Sequence, residues 1–146
     1  NRKNVAGYLD KLTEQSTANW GIMTPQHMVE HLTHGLESAV NKIKLDIATP
    51  EEHLEKYTDS LYNYYPFPKN SKTPVLEDGV LADLGCESLA ESKKQFLEAF
   101  DDFELYYKEN PEAKSNNAVF GALDKDLWDL MNRKHFNHHF KQFGIL

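Results

Sequence analysis

The feature that most constrains the fold is a repeated helix-start signal in a chain with almost no alternating β-branched runs. Each signal has a side chain that can accept a hydrogen bond from a free backbone N–H, and all but the last also have a proline or a glutamate that strengthens the start. The signals are Thr24-Pro25, Thr49-Pro50 with Glu52, Ser88 with Glu91, and Asp124. They predict helices over 24–40, 49–62, 88–107 and 124–143, after a shorter helix over 5–12. The sequence therefore predicts an all-α, up-and-down four-helix bundle.

The connection from Tyr64 to Gly85 does not fit this pattern, because three prolines and a glycine interrupt it. A connection of this length is uncommon in a compact domain and often forms a binding loop. Its first residues, Tyr64 to Pro68, are aromatic and proline-rich and could line a pocket. The simpler interpretation, which we favour, is that the segment covers one end of the core.

Length and composition indicate one globular domain over residues 1–146, since apolar residues make up 40% and charged residues 27%. The net charge of −7 argues against nucleic acid, and the chain shows neither an apolar run of membrane length nor an export signal. Cys86 is a single cysteine, which fits a reducing cytoplasm. Because the chain begins with Asn1, we expect a trimmed start or a piece of a longer protein.

The histidines carry the functional signal. In the last predicted helix, with Leu127 at zero, Trp128 lies at about 100°, His135 at about 80° and His139 at about 120°. A face that begins with apolar side chains therefore ends with two imidazoles one turn apart. Burying them without partners would cost a few kcal/mol each. A His-x-x-x-His pair on a helix is typical of a shared metal ion.

His31 completes this predicted site, because it lies on the shoulder of the apolar stripe of the 24–40 helix. Three imidazoles with a fourth position open describe a catalytic rather than a structural metal site. We expect His138 and Gln142, on the same inward face, to hydrogen-bond a ligand or the open position rather than to ligate. His27, His34 and His53 are interpreted as ordinary boundary residues.

Two segments resemble a known family. Residues 20–32, WGIMTPQHMVEHL, resemble the W-G-x-M-T-P-x-x-M-x-x-H-L opening of a DinB-like family, and residues 135–144, HFNHHFKQFG, resemble its H-x-x-H-H-x-x-Q-F-G close. Phe120-Gly121, followed by Trp128, also resembles the segment before the family's last helix. The chain departs from the pattern at Asn117-Ala118, where relatives carry His-Pro, so no role is transferred to those residues.

The resemblance implies a DinB/YfiT-like four-helix bundle that holds a divalent metal ion through His31, His135 and His139. It implies a metal-dependent hydrolase acting on a small molecule, and it suggests a homodimer. Two alternatives stay open: a metal-dependent thiol S-transferase, and a non-catalytic metal-binding or ligand-binding accessory domain. Imidazole suits zinc, nickel, copper and iron alike; we expect zinc or nickel first.

Overall fold

A computed structural model describes residues 1–71 and 79–146. Within these ranges the chain is mostly helical, with one small antiparallel sheet. The elements in chain order are α1 (Arg2–Leu9), α2 (Pro25–Ala39), α3 (Glu51–Asp59) followed by a 3-10 turn (Ser60–Tyr62), α4 (Leu89–Glu109), β1 (Ser115–Asn117), β2 (Gly121–Leu123) and α5 (Lys125–Gln142).

Three of the predicted helix starts are confirmed by their caps. The side chain of Thr24 accepts from the backbone N–H of His27, that of Ser88 from Glu91, and that of Asp124 from Leu127. Each bond satisfies an N–H that has no partner inside its helix.

The capping box predicted for Thr49 and Glu52 is wrong. Pro50 occupies the cap position of α3, and no side chain caps that helix. The Thr49 hydroxyl instead donates to the carbonyl of Val119 at 2.7 Å. The residue therefore links the start of α3 to the turn between the two strands.

The core lies between α2, α4, α5 and the short α1. Most of its largest fully buried side chains come from these helices and from the residues just after α1: Trp128, Phe96, Phe140, Leu9, Leu12, Met28, Leu32 and Leu36. Leu61 of the 3-10 turn and Leu123 of β2 are also fully buried. In contrast, α3 contributes no buried residue. The helical segment predicted to end at Tyr62 does end there, but its last turn is 3-10, and only that turn, through Leu61, reaches the core. The short α1 contributes Val5 and Leu9 to the core.

The sequence analysis missed the two-stranded sheet, in which Ser115 pairs with Leu123 and Asn117 with Gly121. Two local features form its turn. The Asn117 side chain accepts from the N–H groups of Val119 and Phe120 at 2.9 and 3.0 Å. Gly121 has a φ of +84°, which other residues rarely adopt. Strands of three residues are too short to show an alternating pattern.

Among the described helices, we find none with the length and apolarity that a membrane crossing requires. The connection from Tyr64 to Gly85 contains no helix or strand in its described part, and residues 72–78 lie outside the described residues.

Candidate metal centre

His31, His135 and His139 come together between α2 and α5. The two helices are antiparallel here, because Trp20, just before α2, lies beside His138, while Gly35, near the end of α2, lies beside the earlier residue His135. The three ring centroids are 4.8–4.9 Å apart. One ligand atom from each ring lies within 4.8 Å of the others. The His31 and His135 Nε2 atoms are 2.8 Å apart and share a hydrogen bond.

Burial keeps these imidazoles neutral. His139 is 6% exposed, and His31 and His135 are partly buried. Loss of hydration, together with the smaller effect of neighbouring histidines, lowers the pKa of His31 to about 4 and that of His139 to about 3. The same causes hold the pKa of His135 well below its usual value. Near pH 7 all three imidazole rings are therefore neutral, and a neutral imidazole is the form that binds a metal ion.

Gln142 determines which nitrogen of His139 carries the proton. Its Nε2 donates to the Trp20 carbonyl at 2.8 Å, which leaves Oε1 to accept from His139 Nδ1, also at 2.8 Å. His139 Nδ1 must then be the protonated nitrogen, so Nε2 keeps its lone pair. Gly21 allows this arrangement, because a Cβ there would lie 3.0 Å from Gln142 Nε2.

His135 lacks a comparable partner. Its Nδ1 is buried and, within the described chain, has no hydrogen-bond partner. Asn132, one turn earlier on α5, is only 5% exposed, and both of its side-chain polar atoms are also unpaired among the described residues. The sequence analysis did not single out Asn132. It could have been found by the signal that identified the histidines, a polar residue on the inward face of α5.

His138 lies at the edge of the cluster. Its ring is 4.9 Å from that of His139, and its Nδ1 hydrogen-bonds the Phe67 carbonyl at 3.2 Å. The Phe67 ring lies 6.5 Å from His135 and stacks on Phe120. Phe67 therefore places part of the Tyr64–Gly85 connection against the histidines, whereas Tyr64 and Tyr65 are exposed. Of the two predicted outer partners, Gln142 bonds a cluster histidine and His138 bonds a backbone carbonyl.

The other histidines stand apart from the cluster. His34 and His53 are exposed, and His27 Nδ1 bonds the Thr24 hydroxyl at the start of α2. None of the three belongs to the group of converging ligand atoms.

Glu30, next to His31 in the sequence, faces a different part of the molecule. Its carboxylate accepts from the N–H groups of Gly85 and Cys86 and from the side chains of Gln26 and Ser92. Burial acts to raise the pKa of Glu30, but these hydrogen bonds together outweigh it and hold the pKa at about 2. Glu30 thus anchors the loop before α4 to α2.

The cluster fits a divalent ion in its chemistry. Imidazole nitrogens bind zinc at about 2.0–2.1 Å, so two tetrahedral ligands lie about 3.3 Å from each other. The closest pair here is 2.8 Å apart and no pair exceeds 4.8 Å, so small ring movements suffice. The free lone pair of His139 Nε2 agrees with a nitrogen that completes its bonding only around an ion.

Comparison of the chain with protein-family models, with curated proteins and with solved structures finds no match. The resemblance to the DinB-like family therefore rests on the sequence motifs alone.

Proposed function

We propose that His31, His135 and His139 bind one divalent metal ion and that the protein is a metal-dependent hydrolase of the DinB-like type. The observation that carries this proposal is the convergence of three neutral, desolvated imidazoles from two helices. An ordinary core would leave such groups underpaired at a cost of a few kcal/mol. Coordination of a metal ion by these nitrogens would offset that cost in free energy.

The chemistry follows from the ligand count. Three protein ligands leave one position for water or substrate, where a divalent ion lowers the pKa of water and polarises a carbonyl. Other residues of the protein position the three ligand histidines. Gln142 orients His139, and the packing of α2 against α5 brings His31 to the pair. Phe67 and Trp20 form apolar walls beside the rings, since the Trp20 ring lies 5.5 Å from His138.

We also propose that α1, α2, α4 and α5 are the four helices of a DinB-like bundle. In its support, these helices carry the buried helical side chains, and the antiparallel contact of α2 with α5 joins the two motifs on which the resemblance rests. The short α3 and the hairpin would then be additions to the bundle.

Elemental analysis of protein purified without a nickel column tests the metal site. We expect close to one zinc or nickel per chain in the wild type and little in His139→Ala. Asn137→Ala, an exposed change on the same helix, is the matched control. Metal content equal in all three proteins would refute the site.

Activity is then tested with the loaded protein on a panel of small esters and amides, with and without a low-molecular-weight thiol. Hydrolysis that is lost in His139→Ala supports the hydrolase. Turnover only when thiol is present would assign the protein to the thiol transferases. Full metal occupancy without either reaction would indicate the accessory metal-binding domain.

A further inference from the structure

The segment after the 3-10 turn contributes little to its own placement. Residues 63–71 form neither helix nor strand, and every side chain among them is exposed except that of Phe67. A segment that buries few apolar groups opens easily, because little free energy is lost when it leaves the core. The position of Phe67 beside the histidine cluster therefore depends on polar contacts from elsewhere in the chain as well as on its own packing.

Lys134 of α5 supplies most of these polar contacts. Its ammonium group donates to the carbonyls of Ser60 and Tyr65 at 3.0 and 2.9 Å, and to Oδ1 of Asn63 at 2.9 Å. An ammonium group has three N–H donors, so this segment accepts from all of them. Hydrogen bonds from a charged donor are also stronger than those between neutral groups. The Nζ atom lies 5.9 Å from the centre of the Phe67 ring.

His138 holds the same segment one helical turn later. A carbonyl can only accept, so His138 Nδ1 donates to the Phe67 carbonyl. Lys134 and His138 are four positions apart and project from one side of α5. The proposed ligands His135 and His139 are each one position further along and project from the adjacent side. One row of α5 side chains thus holds the segment that contains Phe67, and the neighbouring row belongs to the candidate metal centre.

The Phe67 ring lies beside a partly exposed member of the cluster. His139 is buried, whereas His31 and His135 are partly exposed. The centre of the Phe67 ring is 6.5 Å from that of His135, and the ring stacks on Phe120 at 5.8 Å. An apolar ring at this place restricts the approach of water and of other molecules to the imidazole nitrogens.

We propose that Lys134 is a positioning residue for the candidate metal centre. By holding residues 60–65 on α5, it keeps Phe67 against His135 and so restricts access to the three histidines. The inference rests on the proposed function, because this access matters to a reaction only if the histidines hold an ion. Lys134 then acts on substrate selection through Phe67, without touching the substrate itself.

Access to the histidines can be measured in zinc-free protein with diethyl pyrocarbonate, which acylates neutral imidazole, and mass spectrometry to locate each modified ring. Lys134→Met keeps a side chain of similar length and removes the ammonium group. We expect His135 and His139 to react about 5–30-fold faster in this variant, the factor by which a loss of one or two net hydrogen bonds changes an opening equilibrium. Lys141→Met, an exposed change on the same helix, is the matched control and should alter these rates by less than about twofold.

Two internal references show whether the opening is local. His34 and His53 are already exposed, so their rates should be the same in every protein. Cys86, partly buried in the loop before α4, reports loosening of the whole domain through its reaction with a thiol reagent. We expect the Cys86 rate to stay unchanged. An equal rise at Cys86 and His135 would indicate general unfolding and would overturn the positioning role.

Phe67→Ala tests whether Lys134 acts through Phe67. Removing the ring should expose His135 whether or not the ammonium group is present, so the double variant should react no faster than Phe67→Ala alone. Rate increases that multiply in the double variant would overturn the proposal, and so would wild-type rates in Lys134→Met. If Lys134→Met fails to fold, Asn63→Ala removes one exposed acceptor and gives the same test with a smaller expected increase.

The outcomes separate this inference from the proposed function. Elemental analysis reports on the metal site, whereas modification of the zinc-free protein reports on the placement of Phe67. Faster modification of Lys134→Met, combined with a wild type that holds no metal, would refute the metal site and support the positioning role of Lys134. Unchanged modification, combined with one bound ion per chain, would support the metal site and refute the positioning role.

Discussion

The two halves of α5 each contain a buried polar cluster, and the clusters differ in how their hydrogen bonds are completed. In the first half, Trp128 Nε1 donates to Ser115 Oγ at 2.8 Å, and Ser115 donates to the Ala39 carbonyl at 2.7 Å. Tyr107 donates to the same carbonyl at 2.8 Å. Ala39 ends α2, so this carbonyl has no partner inside its own helix and gains two from outside.

Further along α5, from Asn132 onward, His31 and His135 share one hydrogen bond, and other polar atoms of His135 and Asn132 are unpaired in the described structure. Both clusters lie between α2 and α5, so burial alone does not distinguish them. The clusters differ in whether their buried polar atoms are paired: we call the first network closed, because its bonds are made, and the second open. A closed network stabilises one fold, whereas an open one keeps bonding capacity for a ligand at a cost in stability.

The largest expected effect comes from breaking the closed cluster. Trp128→Ala removes a fully buried ring and leaves Ser115 without its donor, so we expect the free energy of unfolding to fall by about 3–5 kcal/mol. Urea unfolding monitored by circular dichroism measures it. The control is Asn137→Ala on the same helix. A loss below about 1 kcal/mol, the usual net value of a hydrogen bond alone, would contradict this structural role.

Metal removal is expected to act on the open cluster only. At a free metal concentration about 100-fold above Kd, binding contributes about 2.7 kcal/mol to stability. Chelation at pH 7 should therefore lower the melting temperature, and His135→Ala should abolish the chelator effect. The difference should shrink in mildly acidic buffer, because ligand histidines must be neutral to bind. Equal melting of loaded and chelated wild type, with occupancy confirmed, would contradict the site.

Ser115→Ala sharpens the comparison with a smaller change. It leaves the Trp128 N–H buried without its acceptor, for which we expect a loss of about 1–3 kcal/mol. Zinc affinity should stay unchanged, because Ser115 belongs to the other cluster. Calorimetry measures the stability, and competition with a chromophoric chelator measures the zinc affinity, both on one preparation. A loss of zinc affinity without a loss of stability would show that the clusters are coupled.

The smallest expected effect is the pH dependence of the metal-free protein. The unfolded histidines titrate near 6.5, whereas in the fold the pKa of His31 is about 4 and that of His139 about 3. Below pH 6.5 the unfolded state therefore binds more protons, and stability falls until the pH reaches the folded pKa values. Between pH 7 and 6 we expect a loss of about 1–2 kcal/mol.

Urea unfolding in the presence of a chelator, with His31→Gln and His139→Gln as comparisons, measures this slope. Glu30 does not contribute in that range, because its pKa of about 2 keeps it ionised in the fold and the free carboxyl titrates well below pH 6. A slope that is the same in the wild type and both variants would assign the acid sensitivity to other groups.

The sequence by itself determined the features that are encoded within one helical turn. The caps at Thr24, Ser88 and Asp124 connect residues three positions apart, and so does the bond between His139 and Gln142. The inward facing of His135 and His139 follows from the same periodicity. Such interactions need no knowledge of the rest of the fold, which is why these predictions were accessible.

Only the tertiary structure decided the partners that come from distant segments. Thr49 bonds the hairpin turn instead of capping α3, His138 bonds the carbonyl of Phe67, and Gly35 of α2 packs against the ring of His135. These contacts depend on how α2, α5 and the loops pack, and packing is set by the whole set of buried side chains rather than by a local pattern. Asn132 was not predicted from the sequence, and only the packed structure shows that it is buried with no partner among the described residues.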